Sequence, residues 1–103
     1  MNSQFKRGII ELCVLKVVSE NEQSSFEVIE TLGRKIDVNE NTIYPILRRL
    51  TNNGYFETYT KSSTVGAPKK YYRITPLGLK KLKEFEEEWK LFLNNVRSIL
   101  GGN

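Results

Sequence analysis

Between Asn39 and Asn53 the chain repeats amide and guanidinium side chains at helical spacing. On a helix turning about 100° per residue, Ile43, Ile46, Leu47 and Leu50 fall on one apolar stripe at i, i+3, i+4 and i+7. The opposite side then carries Asn41, Pro45, Arg48 and Asn52, with Tyr44 and Arg49 on its flanks. Amides and guanidinium groups make paired hydrogen bonds to base edges in a major groove, and Tyr44 and Arg49 suit phosphate oxygens. Of these, Arg48 stands opposite the stripe with no packing role to fill. Asn39 and Asn41 serve equally well as helix caps, a role that does not exclude phosphate contact. A second basic set, Lys61, Lys69 and Lys70, brackets a polar loop holding Gly66 and Pro68. Three lysines at a loop base suit a minor groove or its phosphates.

What is missing narrows the chemistry further. The 103 residues include no histidine and one cysteine, Cys13. A structural zinc site needs about four Cys or His ligands, and Ser-His or Cys-His catalysis needs an imidazole. Glu84, Glu86, Glu87 and Glu88 are the remaining candidates for acid-base work, but consecutive residues point in different directions around a helix and form a solvated face. The expectation is a protein that is not an enzyme and uses no metal and no cofactor. Cys13 sits in an apolar helix, where a free thiol acts as a small hydrophobe. No apolar run approaches the roughly 20 residues that span a bilayer; Glu11 and Lys16 interrupt the longest. With no membrane segment, no cleavage site after Lys6 and Arg7, and no possible internal disulfide, the chain reads as cytoplasmic.

The formal net charge of +4 is unevenly spread. Residues 41–83 carry nine basic side chains and one acidic one, Glu57, for a net +8, while the segments on either side are each −2. Such a basic middle segment suits a polyanionic partner, although charge alone fits a solvated face equally well.

These groups need elements to hold them. From Gln4 to Ser19 the pattern is helical and apolar nearly all round, with Ile9, Ile10, Leu12, Cys13, Val14, Leu15, Val17 and Val18. A small domain can cover one face of such a helix, which leaves the other for a second subunit. After a polar break, Ser24 and Glu27 form a capping box opening a second helix with Phe26, Ile29 and Leu32 on one face. Asp37 to Asn39 connects it to the third helix, which Asn53-Gly54 terminates. Tyr55 to Thr60 and Lys70 to Thr75 are rich in aromatic and β-branched residues and read as a hairpin. Thr75 and Pro76 then cap and open a last helix. Along it Leu82, Phe85, Trp89, Phe92, Val96 and Ile99 follow alternating spacings of three and four, a heptad seam. A stripe this long would aggregate if left bare, so a homodimer is expected, with Ile9 of the first helix beside the seam.

Helix, helix, short turn, helix and basic hairpin describe a winged helix-turn-helix: mainly α, with a small β-hairpin wing, followed by a long dimerisation helix. Residues 1–75 would form the DNA-binding domain and residues 76–103 the dimerisation helix. The run Asn39-Glu-Asn-Thr42-Ile-Tyr44-Pro-Ile-Leu-Arg-Arg-Leu50, then Asn53-Gly54 and Lys69-Lys-Tyr-Tyr-Arg-Ile-Thr75-Pro-Leu-Gly78, resembles the PadR-like transcriptional regulators. The resemblance spans the chain from Gly8 through Trp89, and the short terminal region is similar to the compact members with a single dimerisation helix.

The resemblance implies a bacterial winged-helix homodimer that binds a pseudo-palindromic operator in double-stranded DNA and represses a nearby gene. It places the recognition helix on Asn39 to Leu50, so that Thr42 joins the DNA-contacting set. In multidrug-sensing members a tryptophan matching Trp89 lines a pore at the dimer interface and stacks on planar drugs. Phe85, Phe92 and Phe5 would assist it here in holding a small aromatic effector, whereas helical spacing alone makes Trp89 a packed seam residue. The chain departs from the family pattern at Ser24-Ser-Phe26, where a Tyr-Gly-Tyr-like run is usual. It departs again at Gly66-Ala-Pro-Lys-Lys70, where arginines are usual and lysine supplies a point charge without the fork. The other function class compatible with the fold is a protein-interaction module without sequence-specific DNA binding.

Overall fold

The computed structural model describes residues 3–62 and 64–101, with side chains from Arg7 onward. Helix α1 (Ser3–Glu20) leads into a two-residue strand β1 (Gln23–Ser24), and helices α2 (Ser25–Gly33) and α3 (Glu40–Asn52) follow. Strands β2 (Phe56–Lys61) and β3 (Lys69–Ile74) then precede the 24-residue helix α4 (Pro76–Ile99). The sheet is antiparallel in the order β1-β3-β2, with Gln23 opposite Tyr72 and Phe56 opposite Ile74. The fold is therefore mainly helical with a hairpin wing, and β1 adds a short third strand that the polar segment before Ser24 did not suggest.

Local signals fix the helix ends. Ser24 accepts from the Glu27 backbone N–H at 3.3 Å, and the Glu27 carboxylate accepts from the Ser24 N–H at 3.0 Å, so the capping box is complete. Asn39 caps α3 by accepting from the Asn41 N–H at 2.9 Å. At its other end Gly54 takes φ +83°, and the N–H groups of Gly54 and Tyr55 reach the carbonyls of Thr51 and Leu50. That pairing satisfies two carbonyls that would otherwise end the helix unbonded, and it needs the left-handed backbone glycine adopts without strain. Thr75 caps α4 by accepting from Gly78 N–H at 3.0 Å.

The core gathers Val14, Leu15 and Val18 of α1, Val28 and Leu32 of α2, and the whole α3 stripe of Ile43, Ile46, Leu47 and Leu50. Burial of side chains this size contributes about 1.5–3 kcal/mol each, so α3 is held by its stripe while its opposite side stays free for a partner. Phe56 and Tyr72 pack edge to face under the sheet, their centroids 6.2 Å apart.

Two expectations are corrected. Phe26 does not share the inward face of α2: it is 64 % exposed, and Val28 and Leu32, one turn apart, point inward with Ile29 beside them. Val28 and Leu32 take the space against the core, and Phe26, two residues before Val28, lies across the helix from it. Leu82, at the head of the heptad seam, is buried within its own protomer, and Phe85 and Trp89 also pack against that core. The uncovered part of the seam lies farther along α4, where Phe92 is exposed and Ile99 is 83 % exposed.

Candidate nucleic-acid interface

The side of α3 opposite the buried stripe is a polar ridge. Asn41, Tyr44, Pro45, Arg48 and Asn52 are exposed along it, Asn39 is exposed just before it, and Thr42 is half-buried at its edge. Pro45 lies inside the helix, where its missing N–H forfeits one backbone hydrogen bond. The buried stripe fixes the direction in which the ridge projects. Major-groove reading requires such a helix, clamped from behind and polar in front.

Between the ridge and the wing lies a concavity of about 260 Å³ lined by Tyr44, Arg48, Thr51, Asn52, Lys70 and Tyr72. Burial pushes the Tyr72 hydroxyl above its usual pKa; the Tyr44 phenol adds to the rise and the Arg48 guanidinium opposes it. Lys70 Nζ stands 5.8 Å from the centre of the Tyr72 ring. Lys70 and the Tyr44 hydroxyl give the cleft a donor set suited to phosphodiester oxygens, beside the Arg48 guanidinium at the edge of the ridge. Tyr72 is a member that the sequence pattern did not single out. Strand alternation puts Tyr71 and Tyr72 on opposite faces, but the proximity of the Tyr72 ring to Arg48 depends on how the sheet meets α3.

On the wing, Lys61 and Lys69 face each other directly across the hairpin and both are exposed. Like charges at opposed positions repel, and a polyanion would relieve that repulsion. Lys61 Nζ lies 5.3 Å from the Tyr71 ring centre, and Tyr71 stacks on Tyr59 at 5.7 Å. Arg73 is occupied structurally, donating to Glu57 at 2.9 Å and lying over the Tyr59 ring. The Tyr59 hydroxyl donates to Glu22 at 2.5 Å, and that bond to a carboxylate raises the Tyr59 pKa. These contacts tie the wing's outer face to the segment that enters α2.

Arg49 differs from Arg48. Its Nε donates to Glu11 of α1 at 3.0 Å and its Nη2 lies 2.7 Å from the same oxygen, on half-buried side chains. The sequence pattern grouped it with Tyr44 as a phosphate contact, and no local signal reveals a partner 38 residues away.

A separate apolar groove of about 450 Å³ runs between α1 and α4, walled by Ile9, Leu12, Phe85, Trp89 and Phe92, with Glu88 beside them. Trp89 and Phe92 lie 6.3 Å apart at 32°. The groove therefore brings together three of the four residues put forward for an aromatic effector; the side chain of the fourth, Phe5, lies outside the described residues. Cys13 is half-buried nearby, and burial raises its thiol pKa, which keeps it protonated and unreactive at neutral pH. Among the described residues no helix is long and apolar enough to cross a membrane.

The α2-turn-α3 unit with its basic hairpin defines a winged helix-turn-helix, a class of DNA-binding fold. Residues 14–84 match the family described as transcriptional regulator PadR-like, and the chain belongs to that family of non-enzymatic DNA-binding regulators. It is similar to a PadR-like transcriptional regulator of Bacillus cereus, 34 % identical, with 98 % of this chain and 100 % of that chain covered and a TM-score of 0.85. A PadR family regulator of Eggerthella lenta is 30 % identical, with 97 % and 88 % covered and a TM-score of 0.86.

Proposed function

We propose that the protein is a homodimeric, cytoplasmic repressor that seats two α3 helices in successive major grooves of a pseudo-palindromic operator. The observation that carries this reading is the polar ridge of α3, backed by a fully buried stripe and bordered by the wing lysines. In it Asn41, Thr42, Pro45 and Arg48 approach base edges, while Asn39, Tyr44 and Arg49 approach the backbone. Lys61, Lys69 and Lys70 hold the neighbouring backbone. Two copies related by a twofold axis would read half-sites about 34 Å apart.

Residues 76–103 act as the dimerisation segment in this reading, following the winged helix of residues 1–75. Exposed Leu91, Phe92 and Ile99 on the outer half of α4, and Leu100 just after it, favour a second copy as their cover, with Val96 and Ile9 beside them and Phe85 and Trp89 bridging to the protomer core.

The test is a titration against the DNA upstream of the protein's own gene, beside a scrambled duplex, at two salt concentrations. Selective binding of one dimer per site is expected. Lys69→Ala should weaken both duplexes alike and reduce the slope of log K against log salt by about 0.9. If neither duplex binds, the repressor reading fails and a protein-interaction module takes its place.

We further propose that the α1-α4 groove admits a planar aromatic effector against Trp89. Its apolar walls and the Glu88 carboxylate favour a cationic ring system. Trp89 is the only tryptophan in the chain, so its fluorescence reports on the surroundings of this one wall residue. An aromatic cationic dye is expected to quench it saturably and to weaken operator binding. Unchanged emission at saturating dye would remove the effector from the proposal.

A further inference from the structure

We propose a second DNA-backbone seat in the cleft between α1 and α3, formed by Arg7 and Arg49 and held in the free protein by an internal anion, Glu11. The inference rests on the DNA-binding reading above and adds a contact from α1, outside both the recognition helix and the wing.

The cleft measures about 480 Å³, with Arg7, Asn41, Thr42 and Arg49 around it and Ile10 and Ile46 also lining it. Helical spacing puts Thr42 and Arg49 on one flank of the α3 ridge, with Asn41 and Pro45 beside them on the ridge itself. Tyr44, which lines the wing-side concavity together with Arg48 of the ridge, lies on the other flank. A helix about 10–12 Å across with its side chains nearly fills a major groove about 12 Å wide. Once seated it has a row of phosphates along each flank. The wing-side concavity faces one row, and the α1-side cleft faces the other.

The cleft's chemistry suits a phosphodiester. Arg7 is exposed on the first turns of α1, and Asn41 and Thr42 add an amide and a hydroxyl. The Arg49 guanidinium carries five N–H donors in a fixed fork. It directs Nε and Nη2 to a single Glu11 oxygen, which leaves donors for another anion. Glu11 thus engages the same guanidinium that a phosphate in the cleft would approach, and it cancels part of the charge that would attract one. In the free protein the Glu11 contact also holds α3 against α1. On DNA, phosphate and Glu11 compete for the same guanidinium, which lowers affinity for every sequence equally.

Two exposed or conservative changes test this with the full-length protein on the operator and on a mixed-sequence duplex, across a salt series, with thermal melting as a check on folding. Arg7→Ala is expected to weaken both duplexes by the same factor and to reduce the salt slope by about 0.9, the loss of one phosphate contact. Glu11→Gln keeps an acceptor for Arg49 while removing the competing charge, and is expected to tighten both duplexes by a common factor. An unchanged slope for Arg7→Ala, or no tightening by Glu11→Gln with the melting temperature preserved, overturns the seat. Should Glu11→Gln fail to fold, the Arg7→Ala slope decides alone. Lys69→Ala separates the two levels of failure: a slope that falls with Lys69→Ala and not with Arg7→Ala rejects only this seat, whereas a wild-type protein that binds neither duplex rejects the DNA-binding reading as well.

Discussion

Gly78→Ala is expected to destabilise the fold by about 3 kcal/mol or more, at or beyond the upper end for overpacking. In a domain of this size that lowers the melting temperature by about 12 °C or more. A Cβ at Gly78 would lie 2.2 Å from the Tyr55 carbonyl oxygen and 2.7 Å from Ile74 Cγ1. The oxygen cannot retreat cheaply, because it accepts from the Thr75 N–H at 2.9 Å and from the Thr75 hydroxyl at 3.1 Å. Relief requires the first turn of α4 to lift from the α3-β2 junction, which would break the Thr75 cap and draw Leu82 out of the core. Gly33→Ala is the control: nothing lies within 4 Å of its added Cβ, and alanine's better helix propensity makes it neutral or slightly stabilising. If Gly78→Ala melts with the wild type, α4 does not approach Tyr55 this closely.

Gly78 illustrates what a sequence carries and what it leaves out. Thr75-Pro-Leu-Gly78 was legible as a helix start because a cap and an N1 proline are local devices. The contact that makes the glycine necessary joins α4 to a carbonyl 23 positions earlier, and no local pattern encodes that approach. The same division runs through the rest of the fold. The α3 stripe, the Ser24-Glu27 box and the Asn53-Gly54 ending depend on neighbours within a turn or two, and the structure has all three. Phe26 was put on the wrong face because it is apolar; the face is decided by the phase of α2 against α1, where Val28 and Leu32 fill the space. Strand β1 exists only because β3 offers it a free edge. In the candidate interface, the ridge follows from helical periodicity. The Glu11-Arg49 pair and the entry of Tyr72 into the wing-side cleft arise from docking between elements distant in sequence.

Arg48→Ala is expected to cost about 1–3 kcal/mol on the operator and much less on a scrambled duplex, so that specificity falls with affinity. The reason lies in how the arginines of this fold are used. Arg34, Arg49 and Arg73 each pair with a carboxylate of their own chain, Glu30, Glu11 and Glu57. Arg48 projects from the exposed ridge, one turn from Tyr44 and from Asn52, with the buried stripe behind it. A guanidinium fork in that position matches the paired acceptors on a guanine edge. Arg48→Lys sharpens the test, since it keeps the charge and loses the fork. It should leave the salt slope near that of the wild type while reproducing most of the specificity loss. Equal weakening of operator and scrambled duplexes by Arg48→Ala would instead assign Arg48 to the phosphate-facing cleft with Lys70 and Tyr72. Unchanged binding would mean that α3 enters the groove by a different edge, because a side chain at the centre of the ridge cannot be idle in a helix that is read face-on.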